Sequence, residues 1–155
     1  MPSVYGPYNA PVTARDKIVS LITTLQAAGV TISPWFTQIR AYHNIADLQC
    51  PAVSVDFIGT GSVAMLGPHP PVVLADWTIP LSIRVHTSFT DDAVNHGQSM
   101  NIATSIVNYL LERPNLGDEY RLMTIDPIRN GITFDESASV GAEIIIGVNI
   151  VRLHQ

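Results

Sequence analysis

Apolar residues recur at helical spacing in two stretches of this chain and alternate with polar ones in several others. In the first helical stretch Ile18, Leu21, Ile22 and Leu25 fall at i, i+3, i+4 and i+7 and share one face. Thr13 offers a hydroxyl to the free amides, Asp16 answers three residues on as in a capping box, and Gly29 supplies a left-handed stop. The spacing predicts a helix over about 14–28. A second stripe, Ile102, Ala103, Ile106, Val107 and Leu110, predicts another helix. Thr90, Asp91 and Asp92 open it with negative charge at the positive end of the helix dipole, and Pro114 stops it.

The strand signals are of period two. Val53, Val55 and Phe57 alternate with Ser54 and Asp56, and Trp77, Ile79, Leu81, Ile83 and Val85 alternate with Thr78, Pro80, Ser82, Arg84 and His86. Residues 120–128 form a further strand candidate, with Asn130-Gly131 as a turn and 132–134 continuing the ribbon. The last stretch is the longest. Val140, Ala142, Ile144, Ile146, Val148 and Ile150 make one wholly apolar face, while Gly141, Glu143, Ile145, Gly147 and Asn149 make a small or mixed one, as expected of a central antiparallel strand. Val30 to Ile39 is β-rich but broken by Pro34, which suits an edge strand or an irregular entry into one. Hairpin-like neighbours, rather than βαβ units, predict an α+β fold: an antiparallel sheet of about four to five strands flanked by two amphipathic helices.

Two regions fall outside these periods. Residues 1–12, with three prolines and two tyrosines, read as an extended arm that lies on a neighbour or frays. Residues 59–76 read as a long apolar loop within a single domain spanning 13–155. Such a loop needs cover, from a partner or by folding back as a hairpin on its own domain.

Composition sharpens this picture. At 155 residues the chain suits one core. Charged residues make up only 14% of it, against roughly 25% in an average domain. Interface cores lose charges first, so part of this exterior is expected to be covered by other chains, the alternative being a low-charge monomer. The net charge is −5 with no basic run, which disfavours direct nucleic-acid binding. No apolar stretch is long enough to span a membrane, and residues 1–12 lack the pattern of a signal peptide, so the chain reads as made in the cytosol. Cys50 is the single cysteine and reads as a small buried hydrophobe.

Candidate chemistry is sparse. Gly59, Gly61 and Ala64 match a dinucleotide-binding spacing after a strand, but Gly67-Pro68-His69-Pro70-Pro71 forbids the helix that would bind pyrophosphate. The five histidines, His43, His69, His86, His96 and His154, show no zinc-helix spacing and read as surface or interface residues. Asp91-Asp92 is explained by the helix start, and Asp135-Glu136 reads as solvated. No serine sits in a nucleophile elbow. The expectation is therefore not an enzyme, with no catalytic residue, metal site or cofactor.

The opening helix, the 77–87 strand leading into the 91–112 helix, and the closing ribbon of 120–153 together resemble the tail terminator and tail completion proteins of tailed bacteriophages. That resemblance implies a virion neck protein: a hexameric ring that caps the tail tube, halts its polymerisation and offers a surface to the head. The implied partners are further copies of the chain, the tail tube protein, head–tail connector or neck proteins and, as a further candidate, the tail sheath. DNA would pass through the bore without specific binding. On this reading Val63, Met65, Leu66, Val72, Val73, Tyr5 and Tyr8 are the candidate inter-subunit or tube contacts. The alternatives are another head–tail connector or head-completion protein, a tube or baseplate protein, and, in a different class, a small ligand-binding enzyme.

Overall fold

The computed structural model describes residues 10–27, 36, 38–44, 49–59, 61–69, 72–88, 93–116, 120–135 and 139–154. The chain is α+β, with two helices and a mostly antiparallel sheet. Helix α1 (Ala10–Ala27) is followed by strands β1 (Gln38–Arg40), β2 (Ala52–Phe57), β3 (Ser62–His69) and β4 (Val72–Thr87). Helix α2 (Ala93–Leu111) then leads to β5 (Tyr120–Ile125), β6 (Arg129–Phe134) and β7 (Ser139–His154). The main path of the sheet is β1-β2-β4-β7-β5, with β3 paired to β4 and β6 to β7. Among the described residues only the β1–β2 pair is parallel.

β4 and β7, each 16 residues long, form the spine. They pair from Thr87↔Val140 down to Val73↔His154. This register puts Ile79, Leu81, Ile83 and Val85 of β4 on the same face as Ala142, Ile144, Ile146, Val148 and Ile150 of β7, and all are at most 2% exposed. The helices cover this face. Ala14, Ile18, Ile22 and Leu25 of α1 and Ile102, Ala103, Ile106 and Leu110 of α2 complete the core. Each large aliphatic side chain buried there contributes about 1.5–3 kcal/mol.

Several expectations need correction. Helix α1 begins at Ala10, so it takes in the last three residues of the arm expected over 1–12 and places Thr13 inside the helix, while residues 1–9 lie outside the described residues. Pro11 explains this, since proline's fixed φ and missing N–H suit a first helical turn. Gly29, Pro34, Thr90, Asp91 and Asp92 lie outside the described residues. The region expected as a loop over 59–76 takes the second of its two expected forms and folds back on its own domain as the β3–β4 hairpin, with Ser62↔Thr78 through His69↔Val72 paired. Gly59 and Gly61, at φ of 73° and 65°, turn the chain out of β2, and Pro68 is tolerated on an edge strand. Asn130-Gly131 is not a turn. It forms a bulge within β6, where Gly131 at φ 73° absorbs the register shift between Arg129 and Ile132.

Candidate functional site

The helix-free face of the sheet divides into two regions. Near the α2 end, Ser54, Ser82, His86, Ser139 and Glu143 are all buried. They need partners there, because an unpaired polar group costs about 1–3 kcal/mol. His86 Nε2 is 2.6 Å from Ser54 Oγ, and Ser54 Oγ is 2.7 Å from His43 Nδ1. His86 Nδ1 is 2.7 Å from Ser139 Oγ. The Asp56 carboxylate accepts the backbone N–H groups of His43 at 3.2 Å and Phe57 at 2.8 Å. Protons can be ordered along this chain in either direction, each hydroxyl donating to one side and accepting from the other. The chain ties β2, β4, β7 and the 41–43 segment together. His86, at 0% exposed, and His43, at 9%, are thus interior residues, which corrects the surface or interface reading.

Beside this chain lies an ionic cluster. Ser82 Oγ donates to Glu143 Oε2 at 2.9 Å and Arg84 Nε donates to the same oxygen at 3.2 Å, while Arg129 pairs with Oε1. Burial alone would raise the Glu143 carboxyl pKa. The hydrogen bonds from Ser82, Arg129 and Arg84, with the charge of Arg129, outweigh it and hold the group below its ordinary value. Phe134 lids both networks, its ring 5.0 Å from that of His86 and 4.8 Å from the Arg84 guanidinium. Gly141 is required here, since a Cβ would stand 1.8 Å from the Val85 carbonyl oxygen.

Neither network resembles an open reaction site. A Ser–His pair acts only where its nucleophile meets a substrate and oxyanion donors. The sheet carries a groove of about 270 Å³ around Pro80, Thr124 and Gly147, and another of about 210 Å³ lies around Leu111, Pro114 and Met123. Both fall below the usual size of ligand sites, and neither touches His43, Ser54, His86 or Glu143. Among the described residues no group of His, Cys, Asp and Glu could hold a metal ion. Among the described residues no helix is long and apolar enough to cross a membrane. Cys50 is half-buried, and burial pushes its thiol pKa up, away from reactivity.

The second region is a three-stranded ribbon of β3, the first half of β4 and the last half of β7. Asn149 secures its root by donating to the Asp76 carboxylate and, at 3.0 Å, to the Trp77 carbonyl. Ser62, Val63 and Ala64 are exposed, Val63 by 48%, and among the described residues no helix packs broadly on β3. The expected contact residues gather here along the backbone. Val63 and Met65 pair with Trp77 and Ala75, Leu66 sits at the register shift between Met65 and Gly67, and Val72 and Val73 face His69 and Pro68. Tyr5 and Tyr8 lie outside the described residues. Sequence reasoning missed the polar chain, whose only signal was the polar set Ser54, His86 and Ser139 on alternating strands.

Protein-family models give no match to this chain, and the search of curated proteins finds no relative.

Proposed function

We propose that the chain is a structural subunit of a tailed-phage neck, a tail terminator whose copies form a ring of about six that caps the tail tube and presents a docking surface to the head. The observation carrying this reading is the contrast within one sheet. A helix-covered body satisfies its own core, while β3 carries an exposed edge without a charged residue between Ser62 and Ala75. Edge strands of solitary proteins are blunted with charge, proline or bulges, and the stretch Ser62–Met65, ahead of the register shift and Pro68, carries none of these and so offers a template for another chain. The absence of a chemically equipped cleft among the described residues leaves association as the activity for which the surface is suited.

Particles carrying an epitope tag on this chain test the assignment by antibody-labelled electron microscopy. Label at the junction of head and tail is the expected result. Label at the distal tip or along the tube would reject it, and label retained on tailless heads would transfer the chain to the head-completion class.

A further inference from the structure

Among the described residues the ribbon has two strand edges without a neighbouring strand, and they lie on opposite sides. On one side β3 pairs only with β4 among the described residues. On the other side β5 follows β7 as far as Tyr120↔Ile150, so among the described residues Val151 to His154 are paired only with β4. A contact that propagates around a rotation axis needs two different surfaces on one chain, and these edges supply such a pair. We infer that successive subunits join by parallel strand addition, Ser62 to Met65 of one copy lying beside Val151 to His154 of the next. This rests on the ring proposed above and names the contact that closes it.

Strand direction follows from the ladder. β3 and β7 both run antiparallel to β4, so they run parallel to each other. Rotation about an axis along the strands preserves that sense, so the new contact is parallel. Pairing β3 with another β3 about a two-fold axis would be antiparallel and would close at two chains.

The lengths agree as well. The register shift after Met65 limits the regular part of β3 to Ser62–Met65, the same length as the uncovered end of β7. The other edges fit less well. β1 has only 3 residues and lies on the same side as β3. The outer edge of β5 is taken up by its own chain: Leu122 N–H donates to the Pro114 carbonyl at 2.8 Å and Leu116 N–H to the Tyr120 carbonyl at 3.0 Å. β6 is interrupted between Arg129 and Ile132.

Disulfide trapping on the full chain tests the contact. In a Cys50→Ser background, which removes the half-buried native thiol, Ala64→Cys is combined in turn with Val151→Cys, Arg152→Cys and Leu153→Cys, oxidised mildly, and run on a denaturing gel beside each single variant and the background chain. A parallel heterologous contact gives a covalent ladder climbing to the full ring, in at least one combination and in no single variant. A ladder stopping at two chains with Ala64→Cys alone would identify two-fold β3 pairing and overturn the inference. A ring seen by light scattering that yields no ladder would also overturn it while leaving the neck assignment standing. An unmodified chain that stays monomeric at high concentration removes both. Val63→Lys serves as a second variant: its melting temperature stays within a few degrees of the unmodified chain, and the ring is lost.

Discussion

The two ends of the β4–β7 ladder share the same strands and pairing, yet they differ in what covers them. Around Leu81 to Val85 and Ala142 to Ile146, one face meets both helices, and the other is sealed by Phe134 and a hydrogen-bonded polar set. Around Ser62 to Ala64 the strand is exposed and, among the described residues, has one neighbour. Stability is therefore concentrated in the first region, and the association proposed above would use the second. Substitutions in the body should lower folding free energy whether or not copies assemble. Substitutions on the ribbon edge should alter assembly and leave the isolated fold nearly untouched.

The largest effect is expected from Ile144→Ala, which removes a fully buried side chain at the centre of the core. Urea unfolding should show a loss of about 3–4 kcal/mol. Gly141→Ala should cost about 2–3 kcal/mol, because the added methyl meets the Val85 carbonyl and the spine must shift. A neutral result there would place the strands further apart than described.

Glu143→Gln follows, with an expected loss of about 2 kcal/mol near neutral pH, kept below the full penalty of a broken buried pair because Arg129 is 61% exposed. Its pH dependence carries a sign. The folded carboxyl titrates below its unfolded value, so its stabilisation is complete above that value, about 4.3, and fades as pH falls through the lower folded one. Urea midpoints of the two proteins should therefore converge in acid, and a gap that stays constant would remove the ionic role. The smallest change in stability is expected from Val63→Lys, within about 0.5 kcal/mol. If it instead costs as much as Ile144→Ala, the division between body and ribbon fails.

Much of the body was legible in the sequence. The alternation from Trp77 to Val85 and from Val140 to Ile150 identifies the face the helices cover, because a half-buried strand shows its period directly. The stripes of Ile18, Ile22 and Leu25, and of Ile102, Ile106 and Leu110, were read the same way. β3 was hidden. Gly59, Gly61, Gly67 and Pro68 are strong local breakers, yet here they shape the bend before the strand and a permitted edge position within it. The Ser54–His86–Ser139 chain was beyond reach for another reason. Its members lie 32 and 53 residues apart, and only the register of β2, β4 and β7 brings them together.

Light scattering on the unmodified chain over a wide concentration range tests the central claim most directly. The account predicts one species of about six chains, ring-shaped with a central hole by negative-stain imaging. A single 16.8 kDa species persisting to the highest concentration would contradict it.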